Sequence, residues 1–283
     1  SDGLSLIKAK ARGADIRMVY SAADALKLAE QNPDREVVFF AIGFETTTPP
    51  TALVIRDAAA RAVKNFSVLC CHVLTPAAIT HILEAAEARL LGTVPIDGFI
   101  GPAHVSIIIG SKPYEAFAQT YQKPVVITGF EPLDVMQGIL MLVRQINAGR
   151  GVVENEFSRV VTRDGNQAAQ ALMAQIFDLR ESFEWRGLGE VPYSALKIRP
   201  AFAEWDAERK FDLHYASVPD HKQCECGAIL RGVKRPTDCK LFGTVCTPEN
   251  PMGSCMVSSE GACAAYYLYR RLGGLEAASL GRS

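Results

Sequence analysis

VVFFAIGFETTTPPTALVIRDAAARAVKNFSVLCCHVLTP, from Val37 to Pro76, is the stretch whose reading decides the fold. Residues 37–42 are continuously apolar and rich in β-branched and aromatic side chains, the composition of a strand buried on both faces. Over 50–63 the apolar positions are spaced for one helical face, and the preceding prolines suit a first turn that needs no backbone N–H. A second apolar run, 66–71, follows at once. Strand, helix and strand in about thirty residues make a βαβ unit, whose crossover is right-handed and whose strands are parallel.

The same alternation extends in both directions. Further strands are predicted over 16–20, 98–100 and 125–128, and further helices over 22–31, 76–91, 113–121 and 132–147. Residues 1–165 are therefore expected to form a Rossmann-like α/β domain, a mainly parallel sheet with helices on both faces. The second unit, 166–283, opens with a helix over 166–177. The spacing then becomes irregular through a wrapping segment rich in Pro, Gly and aromatic residues, before a small cysteine-rich C-terminal module closed by a helix over 260–272.

Composition narrows the function. Of 283 residues 48% are hydrophobic, enough for a sizeable core, and the formal charge is −1. That balance gives no electrostatic footprint for nucleic acid or an anionic membrane, so protein or small-molecule partners are expected. No apolar run approaches the roughly 20 residues of a membrane helix. Residues 1–13 have no signal-peptide pattern, which points to the cytoplasm. The missing initiator methionine, with an opening that runs straight into a strand-helix pattern, predicts a chain that begins partway through a longer protein.

Six of the eight cysteines (Cys224, Cys226, Cys239, Cys246, Cys255 and Cys263) crowd the last quarter. In a reducing compartment such a cluster favours metal ligation over disulfides. Zinc and iron–sulfur both accept four thiolates. Only Cys224 and Cys226 are close in sequence, and the unequal remaining gaps suit an iron–sulfur centre better than the paired knuckles of zinc; spacing leaves both open. Cys70 and Cys71 project to opposite faces of one strand, so they read as packing residues.

Beyond composition, the C-terminal strings CGAILRG, CKLFGTVC and MVSSEGACAAYY resemble the signature of the HypD family of [NiFe]-hydrogenase maturation proteins. GFETTTP (43–49), GPAHVSIIIG (101–110), GFEPLD (129–134) and EWRGLG (184–189) follow the same family's order. The resemblance implies a [4Fe-4S] cluster held by Cys226, Cys239, Cys246 and Cys263, with Cys224 and Cys255 as spare thiols or alternative ligands. It further implies a scaffold and electron relay rather than a classical enzyme. Such a scaffold assembles the Fe(CN)2CO unit, a transient iron with CN and CO ligands, with a HypC-type small chaperone and a HypE-type cyanide donor. Two other classes stay open: a cluster-containing thiol/disulfide redox enzyme and a zinc-stabilised protein-binding module.

The cleft candidates are Glu45, His104 and Glu260. Each also has a plainer reading. The threonines after Glu45 suit a helix N-cap, a lone histidine is commonly a hydrogen-bonded structural residue, and a carboxylate at a helix start is favoured by the dipole. Their places in GFETTTP, GPAHVS and SSEGAC make them candidate polar groups where cyanide or carbon monoxide joins iron. The family's CGGHTH and CPVC motifs occur nowhere in this chain.

Overall fold

The computed structural model describes residues 5–84, 94–214 and 221–269. A short helix, α1 (Leu6–Ala11), precedes α2 (Ala22–Gln31), which Ser21 and Asp24 close with a reciprocal capping box. Strand β1 (Val37–Gly43), helix α3 (Thr48–Ala60) and strand β2 (Phe66–His72) form the expected βαβ unit. The two strands are parallel, paired from Val37 with Phe66 to Gly43 with His72. This register brings the GFETTTP turn and His72 to one carboxyl edge.

After β2 come α4 (Thr75–Leu83), β3 (Phe99–Pro102), α5 (Ala103–Ile109), α6 (Glu115–Tyr121), β4 (Val125–Thr128), α7 (Pro132–Asn147) and β5 (Val153–Asn155). Strands β3, β4 and β5 make a second parallel sheet, in that order. The parallel strands thus divide between two sheets instead of forming one. Each sheet has its own apolar cluster: Ile55, Phe66, Val68 and Ile176 beside the first, Val94, Tyr114, Phe117 and Ile127 beside the second.

Two expectations are corrected here. Residues 16–20 belong to no strand. Met18 and Tyr20 are exposed, so pairing the segment would gain little burial, and Asp15 is held instead by Arg17 and Arg35 at 2.8 and 2.9 Å. The segment lines a cleft of about 860 Å³ with Val38 and Phe40. Among the described residues no helix covers the outer face of β1 either, where Val38, Phe40 and Ile42 are exposed.

Helix α7 spans its expected residues with its apolar stripe outward. Leu133, Met136, Leu140 and Val143 are exposed, whereas Asp134, Gly138 and Gln145 are buried. The reason is local: Asp134 pairs with Arg159 at 2.5 Å, and Gln145 Oε1 accepts the Val152 N–H at 3.2 Å. Gly138 lets the helix approach Thr128.

Helix α8 (Gln167–Ile176), capped by Asn166, leads the chain back to the first core. Two small antiparallel pairs follow: β6 (Phe177–Leu179) with β9 (Leu196–Ile198), and β7 (Ser182–Trp185) with β8 (Gly189–Pro192). Beyond α9 (Ala207–Lys210) lies the cysteine module, with α10 (Cys226–Leu230) and α11 (Ser254–Val257). Residues 262–269 are helical. The rest of the expected closing helix, 270–272, and of the helix predicted to reach 91 falls outside the described residues. Among the described residues no helix is long and apolar enough to cross a membrane.

Candidate metal centre

The module gathers its thiols around a very small core. Cys226, Cys239, Cys246, Cys255 and Cys263 are 2, 8, 6, 5 and 5% exposed. They share one buried cluster with Ile229, Leu241, Met256 and Ala264, and Cys224 packs beside it. Phe242 meets Tyr266 and Tyr267 edge-on, both with ring centroids 6.1 Å away, which walls one side with aromatic surface. All eight cysteines are free thiols.

Hydrogen bonds to sulfur distinguish this cluster from ordinary packing. The Cys255 N–H donates to Cys226 Sγ at 3.2 Å, and the Met252 N–H donates to Cys246 Sγ at 3.4 Å. Cys255 Sγ donates to Cys263 Sγ at 3.0 Å, and Ser254 Oγ lies 3.2 Å from Cys226 Sγ. Donors aimed at cysteine sulfur are what a thiolate ligand needs, because its charge is dispersed over acceptor lone pairs. Among the described residues, no three His, Cys, Asp or Glu side chains close round one ion position. A polynuclear centre does not require that spacing, since each thiolate binds its own iron. The donor set, buried, sulfur-only and supplied with N–H donors, fits an iron–sulfur cluster.

As free thiols, Cys224, Cys226 and Cys255 resist ionisation. The hydrogen bond with Cys255, followed by burial, pushes Cys226 well above the usual thiol range. For Cys255 the contact with Cys226 pulls downward but is outweighed by Cys263 and by burial, which leave it at about 12. Burial likewise raises Cys224. Metal binding would have to displace these protons, so the site would load with proton release.

The EWRGLG motif joins this module to the first sheet. Gly187, at φ +87°, turns the backbone so closely over the module that an added Cβ would lie 3.2 Å from Cys226 Sγ. Ser254 Oγ donates to Arg186 O at 2.9 Å. On the other side the Trp185 ring faces Phe44 of GFETTTP at 6.4 Å, and its Nε1 donates to Ser194 Oγ at 2.8 Å. His81 of α4 reaches Leu188 O at 3.2 Å.

At the carboxyl edge of the first sheet Glu45 is 1% exposed. Its carboxylate accepts the Thr75 N–H at 2.7 Å and the Thr75 hydroxyl at 2.9 Å, so it caps α4 from across the edge. Burial raises its pKa against the downward pull of those bonds. Thr47 and Thr48 both return their hydroxyls to Phe44 O at 3.0 Å. His72 is buried beneath them, with Nε2 3.0 Å from Thr51 Oγ1. The Thr51 hydroxyl proton goes to Thr47 O, so Nε2 is the donor. Burial holds His72 down at about 4, neutral at physiological pH.

At the second edge the register places Pro102 opposite Thr128, which brings His104 and Phe130 together. His104 is exposed, in the first turn of α5 rather than in a turn before it, and its ring lies 4.9 Å from that of Phe130. Burial pushes the Tyr114 hydroxyl up to about 12. Glu260 is exposed, immediately before the helix that carries Cys263, and its N–H donates to Ser258 Oγ at 3.1 Å. Glu45, His104 and Glu260 thus have separate surroundings. Sequence reading did not single out His72, for which an apolar strand ending in histidine was the available signal.

Comparison with known proteins shows the family. The family described as "HypD: Hydrogenase formation hypA family" matches residues 1–270. The chain is 76% identical over 271 residues to the hydrogenase maturation factor HypD of Cupriavidus necator, covering 96% of this chain and 72% of that protein. The Rhizobium leguminosarum bv. viciae protein of the same name is 66% identical over 271 residues, with 96% and 70% covered. That of Escherichia coli K12 is 45% identical over 267 residues, with 94% and 70% covered. On these matches the chain belongs to the HypD family of hydrogenase maturation factors.

Proposed function

We propose that this maturation factor holds a [4Fe-4S] cluster on Cys226, Cys239, Cys246 and Cys263, and serves as scaffold and electron relay for assembly of the Fe(CN)2CO unit of [NiFe]-hydrogenase. The observation that carries the reading is the burial of these four thiols in one cluster, with N–H donors aimed at Cys226 and Cys246. When bound, the cluster supplies single electrons, at a potential tuned by burial and by hydrogen bonds to sulfur. Phe242 and Tyr267 pack against the thiol cluster on one side. The cargo iron is substrate, delivered by a HypC-type small chaperone and given cyanide by a HypE-type donor.

His104 offers an exposed imidazole braced by Phe130 at the cleft, and Glu260 a carboxylate close in sequence to Cys263. The role of Glu45 is to fix the edge, because both its oxygens are taken by Thr75. The free thiols suit a reducing cytoplasm.

The test is anaerobic purification followed by iron, sulfide and zinc analysis with a visible spectrum. Iron with equal sulfide and a broad absorbance that bleaches on reduction is expected, and Cys239→Ala or Cys263→Ala loses it. Stoichiometric zinc without sulfide would overturn the reading in favour of a zinc module.

A further inference from the structure

We infer that the cleft beside β1 is a strand slot: it takes an extended apolar segment of about five residues, supplied by the part of the HypD proteins that this chain does not span, and that segment pairs with the open edge of β1. The inference goes beyond the cluster reading and does not rest on it.

The backbone of β1 shows which edge is open. Among the described residues β1 pairs with β2 alone. The Val37 N–H donates to Asn65 O at 2.8 Å and Gly43 O accepts the Val73 N–H at 3.0 Å, so the odd-numbered residues turn their backbone groups to β2. Successive residues of a strand direct these groups to opposite edges. The N–H and C=O of Val38, Phe40 and Ile42 therefore face away from β2, and among the described residues no backbone group bonds them. Their side chains are 45, 46 and 63% exposed. An apolar edge with unpaired backbone groups is a template for another strand.

The cleft of about 860 Å³ follows this edge. Val37 and Phe39 line it from one face of β1, and Val38 and Phe40 from the other, so it wraps the edge instead of lying over one face. Ile16 and Val19 line it as well. Among the described residues the N–H groups of Arg17, Met18, Val19 and Tyr20 donate to no backbone carbonyl. A segment of strand-like composition and an unpaired strand edge thus face one cavity without pairing with each other. Because β1 presents apolar side chains from both faces, the segment that fits is a continuous apolar run and not an alternating one. The two arginines that line the cleft, Arg17 and Arg35, both bind Asp15, at 2.8 and 2.9 Å, and so are engaged within the chain rather than held for an anionic ligand. This chain covers 72% of the Cupriavidus necator protein and 70% of the Rhizobium leguminosarum one, so both carry further chain from which such a run can come.

The experiment titrates fluorophore-labelled overlapping peptides, covering the part of the Cupriavidus necator protein outside the match, with the full chain. Binding is read by anisotropy, and amide hydrogen exchange is read residue by residue. A peptide with a continuous apolar run is expected to bind and to slow exchange at Val38, Phe40 and Ile42. Phe40→Pro removes an N–H that faces the open edge and none that bonds β2, so it should weaken binding about tenfold or more. Phe40→Leu keeps that N–H and should bind like the parent. If Phe40→Pro does not fold, two versions of the bound peptide, N-methylated at alternate residues in the two possible phases, decide on the unaltered chain: at least one phase must lose binding. Binding by both phases, binding without protection of the three amides, or no binding by any peptide would overturn the inference. A concentration-dependent dimer that protects the same amides without peptide would do so too, because the occupant would then be a second copy of this chain. None of these results bears on the cluster reading, which iron and sulfide analysis tests separately.

Discussion

Replacing Gly187 by alanine tests whether the EWRGLG turn supports the metal centre, and Gly189 supplies an internal control. Both glycines have positive φ, +87° and +78°. A side chain in that region costs about 1–2 kcal/mol on conformational grounds alone. At Gly189 nothing lies within 4 Å of an added Cβ, so Gly189→Ala incurs only that cost. At Gly187 the new Cβ would meet Cys226 Sγ at 3.2 Å, and Leu230 Cδ1 and Ser254 Oγ at 3.3 Å. Overpacking of this kind adds about 1–3 kcal/mol. If about 1.4 kcal/mol of that falls on the iron-binding conformation, it corresponds to a factor of about ten in an equilibrium constant. Iron release to a chelator, followed by loss of visible absorbance, should therefore be about tenfold faster in Gly187→Ala than in Gly189→Ala. Equal release from the two would refute the claim that the turn's contact with Cys226 supports the centre.

Protonation of His72 should set an acid limit on stability. Its folded pKa of about 4 lies below the ordinary histidine value of about 6.5, so the unfolded chain takes up the proton first. Stability is then full above about pH 6.5 and falls as pH drops toward 4, by about 2 kcal/mol between pH 7.5 and 5. Urea midpoints across that range should show the slope in the parent and lose it in His72→Gln; an unchanged slope would mean that His72 is not its source. Glu45→Ala removes the cap on α4 and should cost about 1–2 kcal/mol, seen as a lower melting temperature with the iron content of the parent. Loss of iron together with stability would show that Glu45 acts on the centre as well.

The βαβ reading of residues 37–71 and the bounds of α7 and β4 follow from local pattern, because strand and helix periodicities are written into consecutive residues. What periodicity does not carry is which side of an element the rest of the chain covers. Helix α7 shows this most clearly: its apolar stripe is legible, but Asp134 and Gln145 face inward because Arg159 and the Val152 N–H await them there. Residues 16–20 read as a strand by composition, yet among the described residues they pair with no strand, and Met18 and Tyr20 are exposed. In the candidate site, thiol clustering marks the module. The bonds of Glu45 to Thr75 and of Cys255 to two other cysteines join positions whose separations no local rule specifies.

The thiol module at the end of the chain can act together with the sheet edges only if something holds the two together. The residues that do so belong to one hairpin. Trp185 ends β7 with its ring against Phe44, the residue before Glu45, and Gly187 two positions later lies against Cys226. His81 anchors the same hairpin to α4, the helix that Glu45 caps. The turn therefore touches the module on one side, and on the other touches two elements that Glu45 itself ties together. Mutual bracing of this kind resists independent movement, because displacing the hairpin breaks contacts at both ends at once. EWRGLG makes these contacts through its shape, an indole at one end and an absent side chain at the other.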